Sequence, residues 1–366
     1  MDASERSALV HATGAAVARV SRAAGEAHAA GLGIVRSALA PLGPAGLVPV
    51  TMTAAISAAH YAAVSGTARA VAAVGGPLAA ASADASAVPA STQPGAVPWL
   101  AALSAAFGDR MAQTPTVQAL TVPMALRRQG HPVDPADPGA SAMTGCLVVF
   151  VHGLGGHESQ WSADYLRAAE SAGAVPLTVR YTTGQAIADS GAELARLLDR
   201  VVSSWPIPVL RIVLVGHSMG GLVIREALAH AGAWRCLVVD VVTLGTPHSG
   251  APLERAARTA LTVAGAHPVA APIAALGDER SAGIKDLAFG AVAEPDPGVA
   301  WHLVAGRLGS SPARSRLGDG MVSVDSAFAI PADRTERRLR IDGADHLALL
   351  AHPDVTVLLG EVLGRG

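Results

Sequence analysis

Five consecutive residues, Gly216-His217-Ser218-Met219-Gly220, set a serine where it could act as a nucleophile. An apolar run from Leu210 to Val215 leads into them, and a helical pattern with Leu222, Val223 and Ala227 follows at once. A Gly-x-Ser-x-Gly between a strand and a helix forces a sharp turn that lifts the serine hydroxyl clear of the backbone. The bounding glycines carry no Cβ, so strand and helix can pack closely. In a chain with 39 glycines the pentapeptide alone is weak evidence, and its placement between these two elements makes it strong.

A serine hydroxyl attacks poorly until a neutral imidazole accepts its proton. A carboxylate must in turn fix the imidazole tautomer and stabilise the imidazolium as it forms. His346, in Asp345-His346-Leu347, lies just beyond the last strand pattern and before the last helical one, where a base would sit. His302 opens a strand and reads as a core or surface residue, and His352 begins the terminal helix and reads as a solvated cap. For the acid, Asp319 in Gly318-Asp319-Gly320-Met321-Val322 follows the strand pattern at 301–305, and its flanking glycines allow a turn toward His346. Asp325 is the rival, whereas Asp342 and Asp345 lie close enough to His346 in sequence to read as turn residues.

A tetrahedral oxyanion needs two backbone N–H donors. Met219 supplies one at the helix start, where the helix dipole also helps. The second is expected from Leu154, in His152-Gly153-Leu154-Gly155-Gly156 after the first core strand. The competing reading of that segment is a glycine-rich turn without function. His152, Gly153, His217, Thr246 and His248 are expected around the pocket, with His217 packing or hydrogen-bonding the turn and His248 shaping the rim. His11, His28 and His60 lie on Ala-rich helical sequence without the spacing of H-E-x-x-H, and the acidic residues form no EF-hand loop, so no metal is expected. The glycines at 153–156 do not form G-x-G-x-x-G, so no dinucleotide site and no cofactor are expected.

These residues need a scaffold. From Cys146 onward, strand and helix patterns alternate. Strands are expected at 147–151, 175–181, 210–215, 237–244, 301–305 and 338–341, with helices between them, the clearest on Ile187, Gly191, Leu194, Leu197, Leu198, Val201 and Val202. Uncharged, β-branched strands of this kind suit a parallel sheet covered on both faces, so about six strands in a doubly wound α/β sheet are expected. The rhythm breaks between Leu244 and Trp301, and an amphipathic helix at Leu253, Ala256, Ala257, Ala260, Leu261 and Ala264 suggests a cap insertion at about 250–298. Residues 1–130 read as an Ala-rich helical segment with a Pro- and Ser-rich linker near 84–98, and residues 145–366 as the α/β domain.

The length of 366 residues accommodates that division, and a net charge of -2 gives no electrostatic case for a nucleic-acid partner. Cys146 and Cys236 each begin a buried strand pattern. Those strands are not expected to be neighbours, so their axes would lie roughly 9–10 Å apart, beyond disulfide reach. Both are expected as reduced core residues, compatible with a cytoplasmic location. The first residues lack a basic stretch followed by an apolar block, so no secretory leader is expected. Residues 37–68 contain no Asp, Glu, Lys or Arg, a length that could span a bilayer. Their Ala, Gly, Ser and Thr content and Pro41, Pro44 and Pro49 favour a soluble or interfacial helix, open to peripheral membrane or partner contact.

The motifs at 152–156, 216–222, 244–250, 318–322 and 345–347 together resemble a bacterial lipase/esterase family of α/β-hydrolases, in the group similar to GPI-inositol-deacylase-like hydrolases. The resemblance runs from about Cys146 to the C-terminus. It implies Ser218, Asp319 and His346 as a catalytic triad, and the hydrolysis of a small-molecule or lipid ester. An acyltransferase, thioesterase or amidase would use the same triad. A helical membrane- or partner-binding protein with an accessory hydrolase domain is a third reading, motivated by residues 37–68.

Overall fold

The computed structural model describes residues 1–40, 43–83, 89–93, 95–139, 144–267, 270–278, 280–309 and 318–365. In chain order the elements are helices α1 (Ala3–Leu39), α2 (Gly43–Ala81) and α3 (Val97–Gln113), then strands β1 (Ala125–Arg128), β2 (His131–Pro132) and β3 (Cys146–Val151). They continue with α4 (Ala163–Ser171), β4 (Val175–Arg180), α5 (Ile187–Ser204), β5 (Arg211–His217), α6 (Met219–Leu228) and β6 (Val238–Leu244). Next come α7 (Pro252–Gly265), α8 (Ala271–Asp278), α9 (Ala282–Asp286), β7 (Ala300–Arg307), α10 (Val324–Ala327), β8 (Thr335–Asp342) and α11 (Pro353–Leu363). The chain divides into two compact units. The first comprises 1–97, 110–121 and 256–280, and the second 98–109, 122–255 and 281–366. Residues 256–280, from the stretch expected as a cap, therefore group with the N-terminal helices, while 98–109 and 122–130 group with the sheet.

In the first unit, α1 and α2 pack through small residues. Ala8, Ala18, Ala23 and Ala72 are buried. Ser21 donates to the Tyr61 carbonyl and Ser65 to the Ala18 carbonyl, each at 3.2 Å. Helix α1 opens on a capping box: the Glu5 amide donates to Asp2 Oδ1 and the Asp2 amide to Glu5 Oε2, both at 2.9 Å. Helix α2 starts at Gly43 and passes through Pro44 and Pro49, while Pro41 and residues 84–88 and 94 of the expected linker lie outside the described residues. Among the described residues no helix is long and apolar enough to cross a membrane.

The second unit is built on one eight-stranded sheet in the order β2-β1-β4-β3-β5-β6-β7-β8. The six strands from β4 to β8 in that order run parallel, and they are the six read from the sequence. Side chains alternate between faces along each strand, as β3 shows. Leu147, Val149 and Val151 join Leu194, Leu198, Leu222 and Val223 of α5 and α6 in one core. Val148 and Phe150 join Tyr165, Ala169, Val355 and Leu359 of α4 and α11 in the other. Burial on both faces is why these strands read as continuous apolar runs. This is a doubly wound, mostly parallel α/β sheet with an antiparallel edge.

Two corrections concern the edge and the cysteines. Strands β1 and β2 add an antiparallel extension that takes the sheet from about six strands to eight. They turn at Gln129 and Gly130, which have φ of 52° and 81°. Two central residues with positive φ fit the tight hairpin that right-twisted strands require. Cys146 and Cys236 are both free, and β5 lies between the strands they precede or begin. Cys236 is exposed instead of buried, because a 3-10 turn at Arg235–Leu237 intervenes before β6.

Candidate active site

Ser218 sits at the sharp junction of β5 and α6 with φ 54° and ψ -124°. Among the described residues only Gln129 shares a positive φ without being glycine. Such a backbone costs of order 1–3 kcal/mol and persists only when its surroundings hold it. Here the Ser218 amide donates to the Leu244 carbonyl at 2.8 Å, locking the turn to the end of β6, and the Gly221 amide donates to the Ser218 carbonyl at 3.1 Å. Gly153 comes against this turn so closely that a Cβ there would lie 2.9 Å from the Ser218 Cβ. The His152–Gly156 loop is thus brought beside Ser218.

Asp319 follows β7 and His346 follows β8, so both emerge at the strand ends where β5 delivers Ser218. The Leu308 amide donates to the Gly318 carbonyl at 2.8 Å, which holds the residue before Asp319 beside the end of β7. Asp319 is 2% exposed and its carboxylate is fully engaged. Oδ1 accepts the Met321 amide at 2.9 Å and the Val322 amide at 2.8 Å. Oδ2 lies 2.7 Å from His346 Nδ1. The His346 amide also donates to the Asp319 carbonyl at 3.0 Å.

An ionised carboxylate only accepts, so His346 Nδ1 carries the proton and Nε2 keeps its lone pair. Among the described residues that Nε2 is buried and has no hydrogen-bond partner. It is therefore chemically a base, and no hydrogen bond yet joins it to the Ser218 hydroxyl. Catalytic hydrogen bonds are often long without substrate and tighten in the Michaelis complex. The rivals stand elsewhere. Asp325 is exposed in the first turn of α10. Asp342 pairs with Arg307, and Asp345 accepts the Leu347 and Ala348 amides as a turn residue. His352 caps α11, and His302 is a core residue bonded to Asp240 at 2.9 Å.

Met219 begins α6 and is buried, while Leu154 packs partly buried against the main core. Neither backbone amide donates to a partner among the described residues. Thr246 is buried, and His248 is enclosed, accepting from Arg225 at Nδ1 (3.4 Å) and donating from Nε2 to Thr243 Oγ1 (3.2 Å). His152 stacks on Tyr181, whose hydroxyl donates to the His152 carbonyl at 2.8 Å. Thr183 Oγ1 accepts the Gly155 amide at 3.1 Å and braces the same loop. The roles of Tyr181 and Thr183 escape the sequence, since nothing in a strand-end Tyr or Thr announces a partner 28 or 29 residues away. Among the described residues no group of three His, Cys, Asp or Glu could hold a metal ion.

Gly245 lies in the 244–250 motif, but the sequence gives it no role. It has φ 56°, and a Cβ there would lie 2.8 Å from Asp319 Oδ2, 3.0 Å from Leu349 and 3.1 Å from His346 Nδ1. Gly245→Ala is expected to cost about 1–2 kcal/mol for the left-handed backbone alone and to push the Asp319–His346 pair apart. Urea unfolding together with ester turnover checks this, and wild-type values in both would remove Gly245 from the site.

Three histidines here are held neutral. Burial pushes His152 down to about 4 and His217 to about 3, and burial beside Arg225 holds His248 well below the usual histidine range. Once unfolded, each would protonate near 6.5. Between the unfolded and folded values the unfolded chain binds the extra proton, so stability is complete above about pH 6.5 and drains as pH falls, by about 1.4 kcal/mol per pH unit for each group. The melting temperature is therefore expected to drop between pH 7 and pH 5, above the carboxylate range. A flat profile over that interval would contradict buried neutral histidines.

Comparison with known proteins agrees with this architecture. The model of the PGAP1-like alpha/beta domain family matches residues 192–262, a stretch holding Ser218 and the Leu244–Gly250 motif. The resemblance read from the sequence is thus shown there. Among solved structures, the mature Bacillus licheniformis lipase BlEst2 is 21% identical with a TM-score of 0.42, covering 66% of this chain and 97% of its own. The metagenomic carboxyl esterase MGS0156 is 17% identical with a TM-score of 0.40, covering 78% and 97%. A thermophilic esterase from Thermogutta terrifontis is 17% identical with a TM-score of 0.38, covering 61% and 90%. At these values the likenesses carry no inference about chemistry. No curated protein sequence matches the chain.

Proposed function

We propose that this chain is a serine hydrolase of carboxylic esters, with lipid or other apolar acyl esters as substrates. The observation that carries the reading is the buried Asp319–His346 pair, 2.7 Å apart, which leaves a bare nitrogen on an imidazole whose ring lies 4.7 Å from that of His217, the residue before the strained Ser218 turn. Ser218 Oγ attacks the acyl carbonyl while His346 Nε2 takes its proton. The Leu154 and Met219 amides receive the negative oxygen of the tetrahedral intermediate. His346 then returns the proton to the leaving alcohol, giving an acyl-enzyme on Ser218. Water, deprotonated by the same imidazole, attacks the acyl carbon, and release of the acid restores the serine. The apolar-ester preference rests on the family resemblance in the motifs around the site.

A fluorophosphonate should label the chain, with the added mass on the peptide containing Ser218. A p-nitrophenyl ester panel of graded chain length then measures the acyl pocket, with kcat/KM expected to rise beyond acetate. Absence of both labelling and turnover in folded protein would refute the reading.

A further inference from the structure

We infer that His217 is a positioning residue that ties the imidazole-bearing loop to the strand bearing the nucleophile, through a hydrogen bond to the main chain of His346. The inference rests on the proposed roles of Ser218 and His346. His217 Nε2 lies 3.0 Å from the His346 carbonyl oxygen. A carbonyl only accepts, so Nε2–H is the donor and Nδ1 carries the lone pair. The bond spans 129 residues of chain and joins the residue before Ser218 to the base itself.

Among the described residues, the other hydrogen bonds made by His346 lead to a single residue. Its amide donates to the Asp319 carbonyl and its Nδ1 to the Asp319 carboxylate. Asp319 and His346 are thus fixed to each other, and the segments before them are tied to the end of β7 through the Leu308–Gly318 and Gly343–Arg307 backbone bonds. The bond from His217 refers that pair to β5, where Ser218 begins its turn. It sets the gap that the serine proton must cross.

The surroundings leave His217 little freedom. It is 4% exposed, its ring lies 4.7 Å from that of His346, and Trp161 meets it edge-on at 6.5 Å. A Cβ on Gly153 would come within 3.2 Å of His217 Nδ1. Burial also keeps the ring neutral, at about 3, so the imidazolium of His346 forms beside an uncharged neighbour. A protonated ring at that separation would oppose the proton transfer.

The test compares H217M, H217Q and S218A in the full chain, on p-nitrophenyl butyrate. Methionine approximates the ring's volume without a donor, and glutamine places an N–H near the position of Nε2. Loss of the tether is expected to lower kcat of H217M by about 10–100-fold with KM changed less than about twofold, and H217Q should recover at least about fivefold of the loss. Equal kcat in the two variants, a wild-type kcat in H217M, or a change in KM alone would overturn the inference. If H217M fails to fold, H217L supplies the donor-free arm. S218A separates the two levels: an inactive S218A with a wild-type H217M refutes only the tether, whereas an active S218A refutes the hydrolase reading itself.

Discussion

Ser218→Ala is expected to lower kcat on a p-nitrophenyl ester by about a million-fold, leaving the fold unchanged. The side chain removed is one hydroxyl on a turn whose backbone bonds run through the main chain. The Ser218 amide still donates to Leu244 and the Ser218 carbonyl still accepts from Gly221. Alanine adopts φ 54° with a strain similar to that of serine, so the melting temperature should move by only a few degrees. Whatever rate survives comes from the Leu154 and Met219 amides and from binding, which in serine hydrolases retain about 10³–10⁴-fold over water. Steady-state turnover, fluorophosphonate labelling and thermal unfolding on the same preparation check all three. A variant that hydrolyses like the wild type would exclude the acyl-enzyme mechanism.

Asp319→Asn is expected to lower kcat by about 10⁴-fold, and the reason is the direction of hydrogen bonds. Oδ1 of Asp319 accepts two backbone amides, from Met321 and Val322. Only an oxygen satisfies both, so an asparagine must keep its carbonyl there and turn its NH2 toward His346. Nδ1 then has to accept, which moves the imidazole proton to Nε2. The ring keeps its place and loses the lone pair that takes the serine proton. Turnover is lost while the melting temperature stays near that of the wild type. Asp325→Asn, at the exposed start of α10, is the comparison and should behave as wild type. Equal effects of the two substitutions would remove Asp319 from the orienting role.

How much of this could be read in advance depended on how local the cause was. The parallel strands were readable because each is covered by helices on both faces, and such burial leaves an uncharged, β-branched run in the sequence. The hairpin β1–β2 was not, because its first strand is four residues long with two arginines and its second ends in a proline at an open edge. Cys236 was misplaced because a 3-10 turn holds residues 235–237 and the strand begins only at Val238, two residues beyond the cysteine, which no apolar pattern reports. The division into units was also beyond pattern reading. Residues 256–280 lie far along the chain from α1, yet α8 packs on it.

Local composition and chain order alone settled the strand-to-helix turn at Ser218, the α/β alternation around it, and an aspartate and a histidine after later strands. These follow from side-chain periodicity and backbone sterics, which neighbouring residues dictate. The protonated nitrogen of His346, the tether from His217 and the neutrality of three histidines belong to the folded chain. Each depends on atoms meeting within a few tenths of an ångström across more than twenty residues of sequence, or on the exclusion of water by packing. Hydrogen-bond direction and desolvation are set by that placement, and residue spacing carries no record of it.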